Sequence, residues 1–407
     1  MARGGGCVAT TLRAVTSVPS APAAPAPKSG PRHARTRTPK STEPFRLGNR
    51  PPLTGIRALA LFAVLAYHSN FSTAPGAWVS LQIFFVLSGF LITAMLSSEA
   101  QRTGKVSLTS FYARRSVRLF PPLLLTVALL GLYASFVSVV DAAHRIWGDS
   151  MAALFYYYDY REAFGKGAAF GFLAQCWSLS VEEQFYILWS ILVVVAVAVH
   201  RRRLAYVFAI IGMVLSTADR LWLTFRDPHF THATFERAYY SFDSRADALF
   251  LGCLLGLMAT DGLFSNWRRW AQLTLGAAAL VGSAFLVWLV FQAPLWQERL
   301  LVWWMPLSTL ASATLMVYFV ICPKGWGSKF AGLGVLVFIG DLSYTIYLLH
   351  WPVYLAIGEG TFHLSYWPTE LIRLAVIFGI ATASWYLMER PLMRWRQRAA
   401  AKAAGES

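Results

Sequence analysis

The chain has 407 residues, of which 56% are hydrophobic, with a mean hydropathy of +0.48 and a net charge of +16. This is too apolar for a soluble domain, so the composition indicates a protein that crosses the membrane several times. The four cysteines are scattered without paired spacing, and we therefore predict neither a disulfide framework nor a metal site.

The first 47 residues are rich in Ala, Pro, Ser, Thr and Arg. They lack the apolar core and cleavage site of a signal peptide, so we predict a disordered basic tail, with a misassigned gene start as the alternative. The predicted domains are this tail over 1–47, a transmembrane domain over 48–391 and a second short basic tail over 392–407.

Ten apolar segments follow the first tail and predict an all-α bundle of about ten transmembrane helices. They are Gly55–Ser69, Val79–Leu96, Leu119–Val140, Glu183–Val199, Leu204–Leu221, Ala246–Thr260, Ala271–Phe291, Val302–Ile321, Leu333–Ile357 and Leu371–Met388.

The basic residues indicate how this bundle is oriented. With both termini in the cytoplasm, 26 of the 36 Lys and Arg residues fall in cytoplasmic segments and six fall in external ones. This asymmetry follows the positive-inside rule and supports cytoplasmic termini. It also explains the high net charge without a nucleic-acid partner.

The first apolar segment carries two ionisable residues, Arg57 and His68. Eleven helical steps of about 100° and about 1.5 Å place them within about 20° of one face and about 16 Å apart. Each has an ordinary explanation, a snorkelling anchor for Arg57 and an interfacial histidine for His68. Their shared face favours a functional pair, in which His68 acts as a general base on a hydroxyl group.

Two further motifs follow in the sequence. Ser88 and Gly89 form a small polar notch in the second segment, which either packs against another helix or lets a ligand chain pass. Arg114, Arg115 and Arg118 precede two prolines that are predicted to begin the third transmembrane helix. This basic cluster either contacts anionic lipid or holds a phosphorylated ligand.

The segment Cys176–Trp189, CWSLSVEEQFYILW, carries two adjacent glutamates. The spacing of Ser180 and Glu183 matches a helix capping box, which gives Glu183 a structural role. Glu182 has no such role, so we predict that it orients or pairs with a catalytic histidine.

The later motifs have mainly structural interpretations. Arg245 and Asp247 open the sixth segment and are predicted to form an internal salt bridge. His350, followed by Pro352, predicts a kinked helix that carries a second intramembrane histidine.

These motifs occur in the order found in the membrane acyltransferase-3 family, which the chain resembles from about Leu53 to Pro391. The resemblance implies a bacterial inner-membrane O-acyltransferase of the stand-alone type, without the extra extracytoplasmic domain that some members carry. It implies transfer of an acyl group, commonly acetyl, from cytoplasmic acyl-CoA to a hydroxyl of a carbohydrate-containing acceptor.

The resemblance also assigns roles to individual residues. It implies that His68 and Arg57 are the essential pair, that Glu182 is the acid of the motif containing Trp177, and that the three arginines lie on the donor side. We predict no permanently bound cofactor, and a separate extracytoplasmic transferase is one expected partner. The alternative function is a transporter, although the sequence has no internal repeat that would favour one.

Overall fold

The computed structural model describes residues 50–69, 74–136, 140–165 and 171–403. Every regular element in these ranges is a helix, which confirms the predicted all-α membrane protein. The predicted basic tail over 1–47 lies outside the described residues, as do the last four residues of the tail over 392–407.

Seventeen α-helices and two π-helical segments make up the described part of the chain. They are α1 (Pro51–His68), α2 (Val79–Thr103), α3 (Leu108–Phe136), α4 (Val140–Leu154), α5 (Tyr158–Phe164), α6 (Cys176–Ala198), α7 (Arg203–Arg226), α8 (His232–Tyr240), α9 (Phe242–Arg245), α10 (Asp247–Thr260), α11 (Arg269–Gln292), a π-helix (Leu300–Trp304), α12 (Met305–Ile321), α13 (Trp326–Ala331), α14 (Gly334–Ala356), α15 (Glu359–Phe362), α16 (Tyr366–Ser384), a second π-helix (Trp385–Glu389) and α17 (Arg390–Ala403).

Eight helices among the described residues are long and apolar enough to cross a membrane. Helices α1 and α10 are not among them, because α1 includes Arg57 and His68 and α10 has only 14 residues. The predicted count of ten spans therefore stays a prediction, whereas several apolar membrane helices are established.

Two predicted helix starts are wrong. Helix α3 begins at Leu108 and continues through Pro121 and Pro122, which lie inside it and do not begin it. Helix α6 begins at Cys176, one turn before Ser180, so Ser180 is not an N-cap. In both cases the helix begins in polar residues that precede the predicted apolar segment.

Helices α2 and α10 pack with their backbones in close contact. A Cβ atom on Gly89 would overlap the backbone carbonyl of Leu249, and one on Gly252 would overlap that of Val86. The Cys253 thiol also lies 3.5 Å from the Gly89 carbonyl oxygen. Gly89 therefore serves helix packing, which was the ordinary interpretation of the Ser88-Gly89 notch.

Helix α1 packs against α14 through small residues. A Cβ atom on Gly340 would overlap the Thr54 carbonyl, and Gly55 makes a similar approach to Ala331 at the start of the α13–α14 connection. This pairing places His68, the last residue of α1, beside His350 of α14, with ring centroids 4.9 Å apart.

Candidate active site

Two cavities open beside α1, one at each end of the helix. The cavity at its last turn, here called the His68 cavity, has a volume of about 600 Å³, and nine of the twenty described residues that line it are aromatic. These aromatic residues are Tyr67, Trp78, Trp177, Tyr239, Tyr240, Trp296, Tyr347, Trp351 and Tyr354.

The environment of His68 determines which of its nitrogens is available for chemistry. Nδ1 lies 3.0 Å from the Val64 carbonyl oxygen, so it carries the proton and donates this bond. Nε2 is then left with a lone pair on a residue that lines the cavity. The ring packs against Trp351 and His350, at centroid distances of 5.1 and 4.9 Å. This is the arrangement that a general base requires.

His350 is fully buried and has the same backbone pattern. Its Nδ1 donates to the Tyr347 carbonyl oxygen at 2.6 Å, and its Nε2 has no hydrogen-bond partner among the described residues. The structure thus brings together two histidines that are 282 positions apart in the sequence.

The second cavity, here called the Arg57 cavity, lies at the first turns of α1 and has a volume of about 450 Å³. Its lining is strongly basic, and it contains all four arginines that the sequence predicts for the site. The charged residues that line it are Arg50, Arg57, Arg114, Arg115, Arg118, Glu182 and Asp341.

The arginines of the basic cluster have different partners. Arg115 forms a bidentate pair with Glu183, with Nη2 donating to Oε1 at 2.5 Å and Nε donating to Oε2 at 3.1 Å, and it also lies over the Tyr186 ring at 3.6 Å. Glu183 is therefore an ion-pair partner, and its assignment to a capping box is wrong because Ser180 lies inside α6. Arg118 forms no ion pair with any described residue.

Arg114 forms a weaker interaction than its neighbour. Its guanidinium lies 3.4 Å from Glu99, and 40% of its side chain is exposed. This pair is open to water, so it holds Arg114 only loosely.

Glu182 does not approach His68. It lines the Arg57 cavity, where it accepts hydrogen bonds from Ser88 at 3.2 Å and from Tyr186 at 3.3 Å. The prediction that Glu182 orients or pairs with His68 is therefore wrong. Ser88 lines this cavity but Gly89 faces α10, so only half of the predicted notch is available to a ligand.

The predicted salt bridge between Arg245 and Asp247 is also wrong. Asp247 pairs with Arg220 of α7 at 2.8 Å, and all three residues are buried. Arg245 lies over aromatic rings instead, 4.8 Å from the centroid of Tyr239 and 5.7 Å from that of Trp177. It therefore supports the aromatic wall of the His68 cavity from behind.

Several residues of the site were missed in the sequence. Asp341 lines the Arg57 cavity and Arg373 lines the His68 cavity. Both are ionisable residues inside predicted membrane segments, and the rule that selected Arg57 would have selected them as well. The aromatic wall carried no such signal, because aromatic residues occur throughout this sequence.

Comparison with known proteins identifies the family. The profile of the acyltransferase-3 family, described as "Acyltransferase domain", matches residues 52–390. YrhL of Bacillus subtilis is 30% identical over 367 residues, which cover 84% of this chain and 54% of YrhL. The peptidoglycan O-acetyltransferase OatA of Listeria monocytogenes is 29% identical, with 84% of this chain and 56% of OatA covered.

The O-acetyltransferase OatA of Staphylococcus aureus is 27% identical, with 84% of this chain and 57% of that protein covered. This chain thus spans little more than half the length of these relatives. No solved structure matches it significantly. Because the family profile covers nearly all of the described residues, the chain belongs to the acyltransferase-3 family of integral membrane proteins.

Proposed function

We propose that this protein transfers an acyl group, most simply acetyl, from acyl-CoA to a hydroxyl group of a cell-envelope glycan in the bacterial inner membrane. The observation that supports this most directly is the pair of cavities along α1, one basic and one aromatic. The class of acceptor comes from the name of the Listeria monocytogenes relative, a peptidoglycan O-acetyltransferase.

The Arg57 cavity suits the donor. CoA carries phosphate groups, and guanidinium groups bind phosphates through charge-assisted hydrogen bonds. Arg118 and Arg57 are the better candidates for this role, because Arg115 is held by Glu183. In the orientation given by the positive-inside rule, this cavity opens toward the cytoplasm, where acyl-CoA is made.

The His68 cavity suits the acceptor, since flat aromatic side chains pack well against sugar rings while their polar atoms bond hydroxyl groups. Leu81 and Tyr347 line both cavities, so the two spaces approach each other at these side chains. Arg57 and His68 are about 16 Å apart along α1. An extended pantetheine arm covers a distance of this order.

The chemical step follows from the free nitrogen of His68. Nε2 takes the proton of the acceptor hydroxyl, and the hydroxyl oxygen attacks the thioester carbon. The C–S bond breaks, and the thiolate of CoA leaves with the proton that His68 returns. An acyl-imidazole formed at Nε2 would reach the same products in two steps.

The test is release of free thiol from acetyl-CoA in membranes that retain their native glycans. We expect release with the wild-type protein and a loss of at least about a hundredfold in His68→Ala, as for other general bases. His229→Ala, which changes an exposed histidine, serves as the control. Full release by a folded His68→Ala protein would remove His68 from the mechanism. Transport of a solute without thiol release would favour the transporter alternative.

A further inference from the structure

One charged side chain on the wall of the His68 cavity has no role in the step described above. Among the described residues that line this cavity, Arg373 is the one with a permanent charge, and none of them is acidic. A charge at this depth in a membrane protein is costly, so it indicates a function or a fixed structural partner.

The contacts of Arg373 show how much of it is already engaged. Nε donates to the Ile357 carbonyl oxygen at 2.6 Å, and Nη1 lies 3.3 Å from Glu370. These two hydrogen bonds use Nε and Nη1, and Nη2 forms none with a described residue. One edge of the guanidinium group is therefore held by the protein, and part of its hydrogen-bonding capacity remains.

A purely structural ion pair with Glu370 is the simplest alternative. Glu370, however, does not line the cavity, and its other oxygen accepts a 2.9 Å hydrogen bond from Tyr354. Its contact with Arg373 is a single one at 3.3 Å, whereas Arg115 contacts both oxygens of Glu183, at 2.5 and 3.1 Å. The described residues that line the cavity thus present a positive charge and no negative one.

From this geometry we infer that Arg373 binds a carboxylate on the acceptor glycan, so that the enzyme selects acidic saccharides over neutral ones. The inference rests on the proposed function, because it assigns the acceptor to the His68 cavity. A carboxylate is favoured over a phosphate, since a single partly paired guanidinium matches one negative charge, and no second permanent cation is among the described residues that line the cavity.

The position of Arg373 relative to His68 also limits where the carboxylate lies. The Arg373 guanidinium is 5.2 Å from the Tyr354 ring centroid, and that ring is 6.1 Å from the ring of His350. Since His350 packs against His68, one or two aromatic side chains separate Arg373 from the reacting nitrogen. The carboxylate would therefore lie on the acylated sugar or on the next one.

The test is binding without an acyl donor, in purified full-length protein in phosphatidylcholine nanodiscs. Tryptophan fluorescence is titrated with the disaccharide of N-acetylglucosamine and N-acetylmuramic acid, whose lactyl carboxylate is free, and with its uncharged methylamide. For wild type we expect about tenfold tighter binding of the acid, the effect of one charge-assisted hydrogen bond. Arg373→Gln should bind both forms equally, and Arg373→Lys should keep part of the preference.

Two further variants separate this role from a structural one. Arg299→Gln changes an exposed arginine and should keep the full preference. The double variant Glu370→Gln/Arg373→Gln removes both charges, so loss of preference there cannot come from an unpaired Glu370. In both, binding of the methylamide should match that of wild type, which shows that the cavity is intact.

Equal binding of the two disaccharides by wild type, no binding of either, or an unchanged preference in Arg373→Gln would overturn the inference. Thiol release is not involved in this experiment. A protein that shows the preference but releases no thiol would contradict only the proposed acyl transfer, and the reverse result would contradict only the role of Arg373.

Discussion

Arg114, Arg115 and Arg118 lie within five positions of one another, yet their surroundings differ. Arg114 is exposed and faces Glu99, Arg115 is held by Glu183, and Arg118 lines the cavity without an ion pair to any described residue. Their contributions to stability must differ as well, because removing one partner of an ion pair costs more free energy of unfolding when the pair is shielded from water than when it is exposed.

Glu183→Ala is expected to destabilise the protein strongly, since it leaves the Arg115 guanidinium unpaired. The two side chains are only 22% and 13% exposed, so we expect a loss of roughly 3 kcal/mol, the lower end for buried pairs. Glu99→Ala, which removes the partner of Arg114 and the exposed acceptor of the Ser107 N–H, should cost about 1 kcal/mol. Thermal unfolding of the purified variants measures both, and equal losses would contradict this ranking.

Glu162 lies in α5, outside the membrane helices. Its ionisation is expected to make the free energy of unfolding depend on pH. Burial raises its pKa to about 7 from the ordinary 4.5, with Asp149 and Glu236 adding to the effect and Arg161 opposing it. The folded state therefore binds this proton more tightly than the unfolded state. The resulting stability is present below about pH 4.5 and is lost as the pH rises to about 7.

Glu162→Gln should remove this dependence, because the amide does not ionise. We expect the melting temperature of wild type to fall more between pH 5 and pH 8 than that of Glu162→Gln. The comparison within each protein cancels any effect of the substitution that does not depend on pH. Parallel curves for the two proteins would show that Glu162 does not titrate in this range.

At the scale of elements, helix packing explains Gly89, which the Ser88-Gly89 notch had suggested was part of a ligand path. Gly89 and Gly252 let α2 and α10 approach until backbone atoms touch, and no side chain fits between them. Ser88, one position earlier, lines the Arg57 cavity. Adjacent residues on a helix face about 100° apart, so one motif can serve both packing and a site.

Gly89→Ala is therefore expected to disrupt the α2–α10 contact, with a cost of about 1–3 kcal/mol from overpacking and a loss of folded protein. Gly131→Ala in α3 is the matched control, because a Cβ atom there meets nothing within 4 Å. It should leave stability unchanged or raise it by up to about 1 kcal/mol, as helix propensity predicts. The yield of monodisperse protein after solubilisation is the measurement, and a normal yield of Gly89→Ala would contradict the packing argument.

At the scale of the whole molecule, the proposed transfer from a cytoplasmic donor to an envelope acceptor requires that the two cavities face opposite sides of the membrane. The positive-inside rule places Lys105 in the cytoplasm and the connection after Arg226 outside. Single cysteines at Lys105 and His229, in a cysteine-free background, test this with an impermeant maleimide on intact cells. We expect labelling of His229→Cys, and labelling of Lys105→Cys only after permeabilisation. The opposite pattern would place the Arg57 cavity outside the cell.

Much of the site was accessible from the sequence because charge is rare in apolar segments. His68 lines one cavity, and Arg57 and the arginine cluster line the other. Their partners were not accessible, since ion pairs form across helices whose contacts no local pattern encodes. Glu183 pairs across 68 positions and Asp247 across 27, whereas the predicted partners of these residues lie three and two positions away.

The sequence by itself determined the class of protein, the helical membrane architecture and the family. The length of apolar segments, the distribution of charge and the order of motifs can all be read along the chain without knowing which helices touch. Only the tertiary structure decided which side chains share a cavity. It brought His350 to His68, turned Gly89 toward α10 and placed Glu182 with Arg57. The physical reason is that a helix fixes the spacing of its own residues, whereas packing between helices fixes which of those residues meet.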